Sequence, residues 1–349
     1  MRLRDRRNDR LLARTTGHRA LLVFVTLVLI GACVHNSGLQ DQVTQSPNGE
    51  TVNNTRVCPV EFVVLGIGQD GGAPQIDNPA DPAWLNPELR LLATSGAIID
   101  RRTQRRFLFE ATPDIREQLH ALDQIYSDAP GPLGLAGVFV THAHIGHYAG
   151  LMFAGHESAG VSGLRVFALP RMRHFLSDSG PWDQLVRFQN IELVPLQSGR
   201  RTELGDDLAV TPHLVPHRDE YSETAGFVIH GPTKNILFLP DIDDWDRWQR
   251  EFSLSIEAMI AAVDVAYLDA TFFDDNELPG RDMTQIPHPR LRYSVERFSA
   301  LPTEQQRKVR FIHLNHSNPA RFTDSAARQW LTHRGFAVAR RGERVCLVD

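Results

Sequence analysis

Apolar and polar positions alternate along the chain in two distinct rhythms. Short β-branched or alternating runs recur between turn-forming clusters from Cys58 onward: VEFVVLG, LRLLATSGAIID, RRFLFEA, LAGVFVT, LRVFALP, IELVPL, LAVTPHLV, AGFVIH, KNILFLP, VAYLDATF, VRFIHLN and FAVARRGERVCLV. Each predicts a strand, because period-two patterning and branched side chains suit a pleated, partly buried surface. Between them the period lengthens to that of an amphipathic helix in PDIREQLHALDQIY, PRMRHFLSD, WDRWQREFSLSIEAMIAA, RLRYSVERFSAL and TDSAARQWLTHR. Pro113 followed by acidic residues marks a helix start. Several strand pairs, such as AGFVIHGPTKNILFLP, read as hairpins. This mixture predicts an α+β domain of two mixed sheets with helices outside. Nothing in composition divides residues 58–349, so they are expected to form a single domain.

The N-terminus breaks this pattern. Residues 1–19 carry seven Arg against two Asp, and residues 20–32 form an uncharged apolar run ending at Cys33. Thirteen residues are too few to span a bilayer but suit the apolar core of a secretory signal. The junction Ile30-Gly31-Ala32-Cys33 resembles a bacterial lipobox, which implies a signal peptide over 1–32 and lipidation of Cys33. An ordinary cleaved signal or an uncleaved anchor would leave the same pattern. Residues 33–57 are polar and read as a flexible tether. The expected location is the bacterial envelope, lipid-anchored and facing the periplasm or the exterior.

Charge and cysteines narrow the partners. The chain has 37 basic and 42 acidic residues, so without residues 1–32 the formal charge is near −10. That balance argues against nucleic acid, because nothing basic remains in bulk to neutralise phosphates. Of the three cysteines, Cys58 and Cys346 stand at the two ends of the globular part. A disulfide and two buried thiols are both open to this pair.

Candidate chemistry centres on THAHIGHYAGL, where His142 and His144 follow an apolar strand and His147 falls where the chain should turn into a helix. Residues i and i+2 of an extended segment project to one side, so two imidazoles can reach one ion. His217, Asp241, His313 and His316 also follow apolar runs. Polar residues recurring where strands run out are the pattern of a site along one rim of a sheet.

HxHxxH after a strand, then a distant His, a strand-end Asp and a C-terminal His, resembles the metallo-β-lactamase fold superfamily over about residues 58–349. The resemblance implies a four-layer αββα sandwich with one or two metals at its edge. It implies that His142, His144 and His217 hold the first ion and that His147 and His316 hold the second, with Asp241 bridging. VLGIGQDGGAPQ, FLPDIDDW, LDATFFDDNELPGRDMTQIPHP and FIHLNHSNP resemble, within that superfamily, the B proteins of pyrroloquinoline quinone biosynthesis. The cysteine cluster that many members of that branch carry after the Gly-Gly-x-Pro-Gln stretch is missing here.

Gly146 stands where the superfamily has a carboxylate. The expectation is therefore a competent site with a weaker second metal, one negative charge fewer and a preference for an anionic small-molecule substrate. Zn is the expected ion, with Fe or Mn able to use the same ligands. The expected chemistry is metal-assisted hydrolysis of a small ester, lactone, amide or phosphodiester by activated water. Asp241 would position that water, and His288 is the preferred proton donor, with Tyr148 and His313 as alternatives. An exposed loop position suits His288 equally. Arg218 and Arg281 are candidate clamps for an anionic group, or else partners of Asp219 and Asp282. Asp243 and Asp269 are alternatives to Asp241 as ligand, or loop caps. Two competing readings are iron-dependent oxidation, as in quinone cofactor metabolism, and a non-catalytic metal-binding lipoprotein.

Overall fold

Every residue of Val60–Gly66 is buried, although a strand with one solvated face would alternate. The reason lies in the layering of the computed structural model, which describes residues 57–349. Val60, Phe62 and Val64 point into one hydrophobic core, and Val63 and Leu65 into another. The expected signal, Cys33 and all of the tether but Val57 lie outside the described residues. The described residues form one compact unit.

In chain order the first six strands are β1 (Val60–Gly66), β2 (Ser95–Asp100), β3 (Arg105–Phe109), β4 (Gly137–Phe139), β5 (Leu164–Ala168) and β6 (Ile191–Pro195). The next seven are β7 (Thr202–Gly205), β8 (Leu208–Val215), β9 (Thr224–His230), β10 (Asn235–Leu239), β11 (Val265–Asp269), β12 (Val309–Ile312) and β13 (Ala337–Val338), and β14 (Arg344–Cys346) closes the chain. One seven-stranded sheet runs β14-β1-β2-β3-β4-β5-β6 and the other β13-β12-β11-β10-β9-β8-β7.

The core between the sheets is aromatic. Phe62 of β1 lies 6.1 Å from Phe238 and 5.3 Å from Tyr267, and Phe109 of β3 lies 5.7 Å from Phe227, centroid to centroid. Each such ring contributes about 1.5–3 kcal/mol by leaving water. Helices cover both outer faces. Ile115 and Leu122 of Ile115–Ile125, with Met172 and Leu176 of Pro170–Asp178, close the outside of the first sheet. Trp245, Trp248, Ile260 and Phe298 bury the outside of the second. This is the α+β, αββα sandwich of the metallo-β-lactamase fold.

Local patterning misjudged two boundaries. The helix expected over 245–262 divides into Trp245–Phe252 and Ile256–Ala262, because Ser253 turns left-handed at φ 56° and Ser255 caps the second helix by accepting from Ala258 N. The strand expected over 336–348 becomes β13 and β14, which belong to different sheets. Gly342, at φ 82°, turns the chain between them.

Strand direction places the site. β1, β3 and β4 share one direction in the first sheet, since β2 is antiparallel to both β1 and β3 and β3 is parallel to β4. β8 runs with β10, β11 and β12 in the second, because β9 is antiparallel to β8 and β10. Residues that follow the C-terminal ends of these seven strands can therefore gather along one rim, where ligand sites of open sheets form.

Candidate metal centre

The loop after β4 begins at Val140 and passes through His142 to His144, which starts the short helix Ile145–Tyr148. Extended backbone at His144 (ψ 137°) followed by helix turns His147 back toward His142, with the two rings 4.3 Å apart. His217 arrives two residues after β8, Asp241 two after β10, and His313 directly after β12.

Four overlapping groups each bring their ligand atoms within 4.8 Å of one another: His142, His144 and His217; His142, His147 and Asp241; Asp70, His147 and His313; and Asp241, His288 and His313. His142 Nε2 and His144 Nδ1 are 2.7 Å apart, and His217 Nε2 is 3.1 Å from His144 Nδ1. Asp241 sits among the imidazoles, 2.9 Å from His147, 3.4 Å from His288, 3.5 Å from His313 and 3.6 Å from His142.

The outward nitrogens of these rings explain the inward ones. His217 Nδ1–H donates to Asp243 at 2.8 Å, and Asp243 is itself held by Arg247. His144 Nε2–H donates to Glu220 at 2.9 Å. His142 Nδ1 lies 2.8 Å from the Thr141 hydroxyl, and His147 Nδ1 lies 3.3 Å from the buried Glu110. His313 Nδ1–H donates to Thr271 Oγ1 at 2.9 Å, and that hydroxyl donates to Asp269 at 2.7 Å. In His142, His144, His217 and His313 one nitrogen is thus fixed against an oxygen and the other is free to ligate, the usual arrangement of metal-binding histidines, whereas His147 Nδ1 lies beside Glu110 without a hydrogen bond.

Orphaned atoms test whether a cation fits. Asp70 Oδ1, His147 Nε2, Asp241 Oδ1 and His313 Nε2 are buried without a hydrogen-bond partner. Such atoms are costly unless something compensates them. All four belong to ligand groups that meet within ion-binding distance, so the residues fit one or two metal ions.

Electrostatics set the imidazoles apart. Burial, reinforced by His147 nearby, holds His142 well below the ordinary imidazole range, and burial also lowers His144; both are neutral donors. Burial opposes a charge on His147, but Glu110, Asp241 and Asp70 overcome it and raise it well above that range. Burial would raise Asp241, yet His313, His217 and His147 hold its carboxyl well below the usual value.

The structure places the remaining sequence candidates as follows. His288 is 8 % exposed, not a surface histidine, and its Nδ1–H donates to Asp269 at 2.8 Å. His313, expected near substrate, stands among the ligand groups. His316 joins none of them. Leu314 pairs with Gly68, and His316 falls in the turn beyond, where its Nδ1 lies 3.2 Å from Asn78 Nδ2. His313, at the strand's end, joins two of the groups instead. Tyr148 is corrected from the substrate pocket to the core, packed on Phe175 and Trp182. Arg218 is exposed and pairs with Glu220, whereas Asp219 pairs with Arg171. Arg281 is exposed in the loop before Asp282, which caps the turn Met283–Gln285, and it reaches none of the ligand groups. Asp243 and Asp269 support His217 and His288 from behind.

Sequence reading missed Asp70, Glu110 and Glu220. Asp70 lies in GIGQDGG, past the end of β1, and Glu110 directly follows β3; the signal was the same acid-after-strand pattern that revealed Asp241. Burial alone would raise the Asp70 carboxyl, but His147 and His313 hold it well below the usual range. The cluster is therefore not one negative charge short, and the expectation of an unusually electropositive site is corrected.

A sequence profile of the beta-lactamase superfamily domain matches residues 105–314. The coenzyme PQQ synthesis protein B of Methylorubrum extorquens (strain PA1) is 23% identical over 310 residues, covering 81% of this chain and 98% of that protein. Its counterpart in Methylococcus capsulatus is 26% identical over 313 residues, covering 81% and 99%. Among solved structures, Zn(2+)-bound PqqB from Methylobacterium extorquens superposes with a TM-score of 0.65 at 21% identity, over 82% of this chain and 99% of that one. A diphosphatase from the PhnP family follows at 0.56 and 19% identity, over 82% and 96%.

Proposed function

Because the chain belongs to the beta-lactamase superfamily, we propose that it is a metal-dependent hydrolase acting on a small ester, lactone, amide or phosphodiester. The observation that carries this reading is the set of buried, unpartnered ligand atoms around Asp241, backed by the outward nitrogens of His142, His144, His217 and His313, which are already engaged. Zinc is the ion we assign, in one or two copies, held by His142, His144 and His217 and by His147, His313 and Asp241. When bound, such an ion polarises a carbonyl or phosphoryl oxygen and acidifies water at neutral pH.

The chain's own residues supply the rest. Asp241 Oδ1, lacking a donor, orients the attacking water. Asp269 and Asp241 beside His288 raise it from the ordinary imidazole value against its burial. With Nδ1 tied to Asp269, Nε2 is the atom we assign to deliver a proton to the leaving group. Arg218, paired with Glu220 at the rim beside His144, is the cation we assign to an anionic substrate group. His288→Gln is expected to lower kcat about 100-fold for alkoxide leaving groups and far less for nitrophenolate. An equal loss for both would remove the proton-donor role.

The test is a metal analysis of the purified chain coupled to a panel of ester, lactone, amide and phosphodiester substrates. A chelator should abolish turnover, and zinc or manganese should restore it. A chain that binds no metal ends this reading. The similarity to PQQ synthesis proteins B favours a second reading, oxidative chemistry at iron, which predicts turnover that needs iron and oxygen and fails with zinc. We further propose an envelope-tethered protein lipidated at Cys33; the Cys58–Cys346 disulfide supports an oxidising compartment.

A further inference from the structure

Gly146 has no room for any side chain. A Cβ built there would stand 2.3 Å from Asp70 Oδ1, 2.5 Å from Asp70 Cα and 2.6 Å from Asp70 Cβ. Real Cβ atoms do not approach that closely, and a backbone Cα cannot swing aside like the end of a long side chain. The volume that a carboxylate on residue 146 would fill is already filled by a carboxylate from another part of the chain.

That second carboxylate is aimed and anchored. The Asp70 side chain is 42% exposed as a whole, yet its Oδ1 is buried without a hydrogen-bond partner, 3.1 Å from His147 Nε2 and 3.7 Å from His313 Nε2. The loop that carries it is pinned on both sides. Gly68 bridges to Ala93 and Leu314, Gln69 N donates to Leu314 O, and Thr94 Oγ1 donates to Gly68 O. Gly72 N donates to Gln69 O, closing the turn. Gly72 adopts φ +65°, and a Cβ there would lie 2.3 Å from Leu91 O, so only glycine completes it. The anchor at Leu314 is next to His313, so the loop and one of the ligand histidines are held as one piece.

We infer that Asp70 supplies the second metal position with the carboxylate that residue 146 does not, and that Gly146 is the cavity which admits it. The two positions are alternatives: a carboxylate can come from the β1 loop or from the histidine loop, but not from both. Occupancy of the second position then depends on the loop around Asp70, while His142, His144 and His217 hold the first independently. This inference rests on the metal-dependent reading above.

The experiment counts zinc per chain by mass spectrometry after reconstitution and dialysis, and records the visible and EPR spectra of the cobalt(II) form. It compares the unaltered full chain with Asp70→Asn, Gly146→Asp, and Asp70→Gly combined with Gly146→Asp. The unaltered chain should bind two ions with spectroscopic coupling between them. Asp70→Asn should keep the first and bind the second at least tenfold more weakly. Gly146→Asp should also weaken the second, with or without Asp70→Gly, because the new Cβ meets the Asp70 Cα, which the double variant keeps. Asp70→Asn changes charge at a partly exposed site, so it remains informative even if the double variant fails to fold. Two ions bound with unchanged affinity in Asp70→Asn would overturn the inference, as would Gly146→Asp binding two ions at full affinity with Asp70 in place. A single ion in both the unaltered chain and Asp70→Asn would overturn it too, while leaving the hydrolase reading standing. No metal in any form would overturn both.

Discussion

Asp241→Asn is expected to remove about three to four orders of magnitude from kcat/KM, the upper part of the range for a group that handles a reacting proton, and to lower the number of metals bound per chain. The substitution keeps the shape and removes the charge. That charge lies within 4 Å of five imidazoles, His142, His147, His217, His288 and His313. It is 2% exposed, so water cannot replace it. A carboxamide in its place presents an N–H or a neutral oxygen to cations that need an anion. Metal analysis and steady-state kinetics on the same preparation check the result. A variant that binds metal as the unaltered chain does and turns over within tenfold of it would show that Asp241 is not at the centre of the chemistry.

The second large effect is on stability. Cys58 and Cys346 are joined across a sequence separation of 288 residues, with Cα atoms 5.7 Å apart. Cys58 precedes β1 and Cys346 ends β14, which pairs with β1 at the register Glu61–Cys346. A cross-link over so long a loop restricts the unfolded chain far more than the folded one. Its loss, by reduction or by Cys58→Ser, should cost about 2–5 kcal/mol. Denaturant unfolding with and without reductant measures this, at fixed zinc because bound metal also shifts the midpoint. A midpoint that does not respond to reductant would mean that β14 holds the edge of the sheet unaided.

Much of the site was legible because strand ends write themselves into sequence. His142, His144, His217 and Asp241 each follow an apolar run, and the direction of side chains in extended backbone makes i and i+2 share a target. His313 and His316 show where that reasoning stops. Both follow the same strand, and patterning cannot say at which residue the strand ends and the turn begins. The bridge between Leu314 and Gly68 settles it, by holding the backbone so that His313 enters the cluster and His316 leaves it. Tyr148 is a similar case: next to a ligand histidine in sequence, it turns into the core because the helix Ile145–Tyr148 carries it to the opposite side.

The sequence by itself determined the alternating strand and helix pattern, the histidine cluster and the acidic balance of the chain, because each is a property of neighbouring residues. Only the tertiary structure decided that Asp70, 76 positions away, fills the space left by Gly146. It also decided that the outer nitrogens of His144, His217 and His313 rest on Glu220, Asp243 and Thr271, with Glu110 beside that of His147. Those contacts join loops far apart in sequence, and distance in space between such loops is fixed by strand pairing and core packing rather than by any local preference.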